Sequence, residues 1–332
     1  MMKWVTVFLA ISFGVIFTAA IFNYIVDPFQ QYRKASFYKV CYQNDERTMN
    51  PGLAKNYDYN SIVIGSSMTE NFLISDVARI MKNPIKLCMG GAVAHEIYTT
   101  LETAFESGHH IETVLIGLDI YAVAGEEDEY RSDHYFPLYL YDKHFWNDYP
   151  YLLSLDTVVL SLKALVKPYV SKNPIIFSYE HMYEWQYHNV NDFGKEKVLR
   201  QWKRDKKNFN KDFTLSRYQF SNFKKSFDAN ILVLVKKYPD TKFILFLPPY
   251  SYLTYEDWKE KGMTESVETF KKYLATVDRE YDNLDVFDFQ TAATITDNLD
   301  NYRDITHYHQ KINTWMVDQI KSGNYSIQKD RR

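Results

Sequence analysis

The chain has 332 residues, 46% of them hydrophobic and 24% charged, and at about 150 residues per domain it can bury a core of roughly two domains' worth. That balance excludes a disordered chain and a multi-span membrane protein. The 39 basic against 42 acidic residues, a net charge of −3, leave no global field to recruit nucleic acid.

From Trp4 to Val26 there are 23 residues without a charge, and at 1.5 Å per residue a helix of that length covers about 34 Å, enough for the hydrocarbon core of a bilayer. The run starts after Lys3 and stops at Asp27-Pro28, where proline cannot continue the helix. Thr18-Ala19-Ala20 offers a loose signal-peptide cleavage site, but the apolar run continues past it through Ile21, Phe22, Ile25 and Val26, which favours an uncleaved anchor over 1–27. Lys3 on one side and Arg33, Lys34 and Lys39 on the other leave the orientation open by charge count. Residues 28–58 are polar, with Asn50-Pro51-Gly52 as a turn signal, and read as an irregular linker packed onto the body.

A body over 59–332 then follows a different rhythm. Ile62-Val63-Ile64, Ile85 to Cys88, Val114-Leu115-Ile116, Phe243 to Leu247 and Val286 to Phe289 are short apolar runs of buried-strand type. Helical spacing over Met68 to Met81 and Ala94 to Glu106 separates the first three. Alternating strand and helix predicts an α/β fold: a doubly wound parallel sheet covered on both faces. The alternation breaks at about 120–216, a mostly helical insertion rich in Tyr, Trp and His. Its Lys195–Lys211 stretch carries eight Lys or Arg against Glu196 and Asp205, which suits either an anionic polymer or a solvated helix face. Trp185, Tyr183 and their aromatic neighbours could stack sugar rings or form the insertion's own core.

Chemistry-bearing residues cluster at the two ends of the body. Gly65-Ser66-Ser67 stands where a strand gives way to a helix, at the carboxyl edge where open parallel sheets bind ligands. Near the carboxyl terminus, Asp304 precedes His307 by three residues, close enough for the acid to fix the imidazole's tautomer, and a last helix is predicted over Gln310 to Lys321. Cys41 and Cys88 allow at most one bridge or two buried thiols. His307-Tyr308-His309 lacks a third clustered ligand, so no metal is expected. His109-His110 reads as a surface loop. No phosphate-binding loop, dinucleotide fingerprint or Gly-x-Ser-x-Gly elbow occurs, and no cofactor is expected.

Four segments together resemble the blocks of the SGNH, or GDSL-like, hydrolase superfamily, in the right order. Gly65-Ser66-Ser67 resembles the first block, with Ser67 at the nucleophile position and Ser66 where aspartate is commonest. Leu87 to Ala92 resembles the second, with Gly91 supplying an oxyanion N–H. Gly117-Leu118-Asp119 resembles the third, with Asp119 in place of the usual asparagine, and Asp304 to His307 matches the fourth in full. The resemblance implies a three-layer, flavodoxin-like sheet, a Ser67–His307–Asp304 triad, and an oxyanion hole from Ser67, Gly91 and the Asp119 position. An ionised Asp119 cannot donate a hydrogen bond, so that position is either protonated or does another job. Ser66, Trp185 and Tyr183 are candidate substrate contacts.

The anchor, Asp27-Pro28-Phe29 and Phe246 to Ser251 further resemble the cell-envelope branch that works beside membrane-bound O-acyltransferases, to which D-alanyl-lipoteichoic acid biosynthesis proteins belong. That implies a single-pass protein with an extracytoplasmic domain, acting as an esterase or acyltransferase on envelope polysaccharide or teichoic acid. Two alternatives stand beside it: a non-catalytic partner of a membrane-bound O-acyltransferase, and a lipase acting on membrane lipids.

Overall fold

The computed structural model describes residues 2–43, 45–188, 191–206 and 213–328. Helix α1 (Met2–Val26) is apolar along its length, with Lys3–Val26 long and apolar enough to cross a membrane. It ends at Asp27, which takes a positive φ of 49°. The Asp27 carboxylate accepts the N–H groups of Gln31 (2.8 Å) and Tyr32 (2.9 Å) and the Tyr151 hydroxyl (2.9 Å), which turns the chain back onto the body.

The segment expected to be an irregular linker holds a buried helix, α2 (Glu46–Asn56), with Asn50-Pro51-Gly52 inside it and not at a turn. Pro51 has no N–H for the Arg47 carbonyl one turn earlier, and the Tyr141 hydroxyl takes that place at 2.7 Å. The turn signal misled because a side chain far along the chain supplies the missing donor.

Strand β1 (Ser61–Gly65) leads into two single turns, α3 (Ser67–Glu70) and α4 (Ile74–Val77), where a continuous helix over Met68–Met81 was expected. The break follows from Asn71-Phe72-Leu73: Phe72 is fully buried, and the carbonyls of Glu70 and Phe72 accept the buried Lys86 ammonium at 2.8 and 2.7 Å. Next come β2 (Pro84–Lys86), α5 (Ala94–Glu106) and β3 (Thr113–Gly117). The stretch between β3 and β4 includes α6 (Tyr149–Leu152), α7 (Leu155–Val170) and α8 (Lys195–Lys206), with no strand among its described residues. Helix α9 (Phe220–Phe227) continues through one π-turn into α10 (Val233–Lys237). Strand β4 (Lys242–Leu247), α11 (Tyr252–Glu260), α12 (Thr264–Glu280), β5 (Leu284–Asp288), α13 (Ala293–Thr296) and α14 (Gln310–Ser322) complete the chain.

The five strands are all parallel, in the order β2-β1-β3-β4-β5. From β1 the chain steps outward to β2 and thereafter runs the other way. Right-handed crossovers therefore put α3 and α4 on one face, where α14 packs against α4, and α5, α9–α10 and α12 on the other. The three-layer architecture is the one expected. The direction of winding reverses between β1 and β3, which run parallel, and open sheets of this kind leave a crevice beyond the carboxyl ends of those two strands. Cys41 and Cys88 are both buried and unbridged, and burial pushes the Cys88 thiol up to about 12.

Candidate active site

Gly65 and Gly117 stand opposite each other in register at the carboxyl ends of β1 and β3. A Cβ on Gly65 (φ +147°) would press on the Gly117 carbonyl oxygen at 2.7 Å, and one on Gly117 would meet the Phe246 ring at 2.9 Å; the Thr69 methyl seats against both. The missing side chains let α3 sit directly on the sheet edge. Ser66 caps α3, its Oγ accepting the Met68 N–H at 3.3 Å, and Ser67 is the helix's first residue.

Ser67, from the first βα turn, and His307, from the loop before α14, are 240 residues apart in sequence, yet Ser67 Oγ lies 2.9 Å from His307 Nε2. His307 Nδ1 lies 2.8 Å from Asp304 Oδ2. Asp304 Oδ1 accepts the Thr306 and His307 N–H groups, both at 2.8 Å, and the Thr306 hydroxyl at 3.0 Å. This loop therefore fixes the carboxylate before the imidazole is considered. The Met68 carbonyl accepts both Tyr308 Oη (3.1 Å) and Asn313 Nδ2 (3.0 Å), which ties the residue after Ser67 to the carboxyl-terminal loop and helix.

Burial alone would lower the His307 pKa, but the hydrogen bond and charge of Asp304, with the charge of Asp119, outweigh it and hold the imidazole above its ordinary value. Burial pulls Asp304 upward, yet the His307 contact and charge and the two loop N–H groups keep its carboxyl well below the usual carboxylate range. The pair is thus an ionised acid beside a base that accepts protons readily.

Ser67, Gly91, Asp119 and His307 line a cavity of about 290 Å³, with Arg131 and Arg217 at its wall. Gly91 adopts φ +59°, and a Cβ there would collide with the Arg131 guanidinium, which donates to the Gly91 carbonyl at 3.0 Å. The preceding carbonyl, Gly90, accepts Arg47 Nη1 at 3.2 Å. Arg47 is itself held by Glu96 through two bonds of 3.0 and 2.7 Å, both side chains being almost wholly buried. Losing one partner of such a pair costs about 3–5 kcal/mol. Both carbonyls are thus tied back by arginine side chains, which fixes the loop where Gly91 lines the cavity.

Asp119 corrects the expected oxyanion hole. Its two carboxylate oxygens accept the hydroxyls of Ser66 and Tyr250, so the position acts as an acceptor and supplies no donor. Burial raises its pKa, against the lowering effect of the Ser66 and Tyr250 bonds and the His307 charge. Ser66 lines the cavity, but its hydroxyl is committed to Asp119.

Tyr183 is a second correction: it is buried, and its hydroxyl donates to Asn50 Oδ1 at 2.8 Å, so it offers substrate no surface. Asn50 in turn donates to the Cys88 carbonyl at 3.1 Å, so Tyr183 supports the strand end that leads to Gly91. Trp185 sits beside Ser67 and His307. Its indole N–H donates to the Ser67 carbonyl at 2.9 Å, its ring meets His307 edge-on at 5.5 Å, and the Arg303 guanidinium lies over it. His309 caps α14, accepting the Lys311 N–H. No cluster of metal-ligating residues occurs among the described residues.

The basic stretch is an amphipathic helix, α8, whose Val198 and Trp202 are buried. Lys197 pairs with Asp192 and Lys206 with Glu260, while Lys207 and Lys211 lie outside the described residues. Arg47, Glu96, Arg131 and Tyr250 escaped the sequence reading. The one available signal was a charged residue at Glu96 on a helix whose neighbouring turns are largely apolar.

No family model matches the chain, and no curated protein sequence matches it. Among solved structures, one described as "a putative platelet activating factor from Streptococcus pneumonia" aligns with a TM-score of 0.43 and 10% identity, covering 85% of this chain and 92% of that one.

Proposed function

We propose that the chain is a serine esterase or acyltransferase, held at a membrane by α1, that acts on a small acyl ester of cell-envelope polysaccharide or teichoic acid. The observation that carries the reading is the continuous Ser67–His307–Asp304 relay, 2.9 Å and then 2.8 Å, opening onto a cavity. In this mechanism His307 Nε2 takes the Ser67 proton as Oγ attacks the acyl carbonyl, and Asp304 holds Nδ1–H and steadies the imidazolium. The tetrahedral oxyanion is met by the Ser67 and Gly91 N–H groups. The leaving alkoxide takes the proton back from His307, and water or a second hydroxyl then releases the acyl group by the same steps in reverse.

A cavity of about 290 Å³ suits a short acyl group better than a lipid chain, which weighs against the lipase alternative. A neighbouring cavity of about 480 Å³ shares Tyr121 and Thr306 with it and is bounded by Trp202 and Lys261; it has room for the polymer that bears the ester. A scaffold without catalysis has no chemical need for the relay. Asp119 is the observation on the scaffold's side, because without its donor the oxyanion hole is reduced, and one lost donor typically costs about a hundred- to a thousandfold in rate.

The test is the intact mass of the full chain in detergent after treatment with a fluorophosphonate. One adduct on the wild type and none on Ser67→Ala is expected. No adduct on a folded wild type would overturn the enzyme reading in favour of the scaffold.

A further inference from the structure

Helix α7 turns Thr157 and Ser161 inward. Its opposite face carries Leu155, Val159, Leu162, Val166 and Tyr169, spaced alternately by four and three, all exposed, with Leu155 at 77% and Tyr169 at 88%. That is one continuous apolar stripe along the helix. Just before it, Trp146 (89% exposed) and Tyr149 extend the same kind of surface. Isolated exposed apolar residues are ordinary, but a contiguous patch marks a contact surface.

The location of the stripe identifies the contact. Asn23, buried in the last turns of α1, donates to the carbonyls of Leu152 (2.9 Å) and Ser154 (3.2 Å) and accepts the Ser161 hydroxyl at 3.1 Å. The start of α7 is thereby pinned to the carboxyl-terminal end of α1. The same end gathers Tyr24, which stacks edge-on with Phe145 at 6.1 Å and lies 4.4 Å beneath the Arg33 guanidinium. Aromatic and basic side chains of this kind collect at the level of lipid headgroups. At 1.5 Å per residue α1 reaches about 37 Å, against a hydrocarbon core of about 30 Å, so its final turns fall in the interfacial zone. Lys163 lies exposed on α7 beside the stripe, on a stem long enough to reach phosphates.

We propose that α7 and the aromatic turn before it lie in the headgroup–acyl boundary of the bilayer crossed by α1, with the Leu155-to-Tyr169 stripe against lipid. The inference rests on the membrane-anchor reading and adds to it: two contacts, one spanning and one in the plane, fix the tilt of the body and therefore the direction in which the Ser67 cavity faces. Lipid is favoured over a protein partner because the stripe continues the exposed apolar surface of α1 at the depth where that helix leaves the hydrocarbon.

The test uses the full chain in vesicles of mixed phosphatidylcholine and phosphatidylglycerol, spin-labelled at Leu162→Cys, Phe13→Cys or Lys272→Cys; native Cys41 and Cys88 are buried, and unsubstituted protein is the blank. Relaxation by oxygen reports lipid, and by a water-soluble nickel chelate, water. The expected result is a reversal of the oxygen-over-nickel preference at Leu162 and Phe13 relative to Lys272. Water at Leu162 with lipid at Phe13 overturns the inference and leaves the anchor standing. Water at both overturns the anchor as well. Shielding at Leu162 that disappears as the protein is diluted in lipid overturns it in favour of a second copy of this chain.

Discussion

Replacing Asp304 by asparagine separates the chemistry of the relay from its architecture. Asp304 Oδ1 carries three donors, the N–H groups of Thr306 and His307 and the Thr306 hydroxyl, while Oδ2 faces His307 Nδ1 alone. An asparagine whose amide oxygen takes the Oδ1 place keeps all three loop bonds and turns an NH2 group toward the imidazole. His307 must then accept at Nδ1 and carry its proton on Nε2, where it donates to Ser67 Oγ and can no longer take its proton. Such a tautomer reversal costs about ten-thousandfold in turnover in a well-formed triad, equivalent to about 5.5 kcal/mol of transition-state stabilisation. The loop is unchanged, so the thermal midpoint should move by no more than a few degrees, as for a substitution costing about 0.5 kcal/mol. The assay is hydrolysis of p-nitrophenyl acetate by the full chain in detergent, with calorimetry alongside. Turnover within tenfold of wild type at an unchanged midpoint would refute the assignment of His307 as the base positioned by Asp304.

Asp119→Asn removes a negative charge that raises the His307 pKa, so the acid limb of the rate profile should move to lower pH; an unmoved limb would show that Asp119 does not couple to the base. Trp185→Phe keeps an aromatic ring but deletes the donor to the Ser67 carbonyl and should lower kcat by about tenfold, on the scale of one hydrogen bond, with KM held; a change in KM alone would assign Trp185 a substrate-contact role. Glu70→Gln tests a buried acid whose pKa burial raises well above the ordinary value and whose Oε1 has no hydrogen-bond partner among the described residues. The native state holds that proton where the unfolded chain releases it, so wild-type stability falls as pH rises from the unfolded value of about 4.3 toward the raised one. The variant should match wild type near pH 4 and melt higher at pH 8; a constant difference across that range would exclude the linkage.

The elements readable from sequence were those whose cause is local. The apolar runs at Ile62, Val114 and Phe243 became strands, and the spacing over Ala94–Glu106 became a helix with those same ends. The Asp304-to-His307 loop was legible because three residues of chain suffice to bring an acid to an imidazole. What could not be read is what distant residues decide. Pro51 stays helical because Tyr141 answers the orphaned Arg47 carbonyl, and the Met68–Met81 helix breaks because Lys86 claims the carbonyls of Glu70 and Phe72. Asp119 was recognisable as a departure from pattern, but its role depends on Tyr250, a residue 131 positions later. The loop that carries Gly91 is steadied by a pair, Arg47 and Glu96, that no motif marks.

The clamp on the Met68 carbonyl by Tyr308 and Asn313 also sets the order in which the site can assemble. The serine follows the first strand of the body, but the imidazole beside it, and the two side chains that hold its neighbour in place, come from a segment some 240 residues later. Until those distant segments meet, Ser67 is an ordinary alcohol. On the proposed function, Ser67 gains its base only when α14 and the loop before it dock on the sheet, so a variant lacking residues 304–322 would be inert even with its sheet assembled.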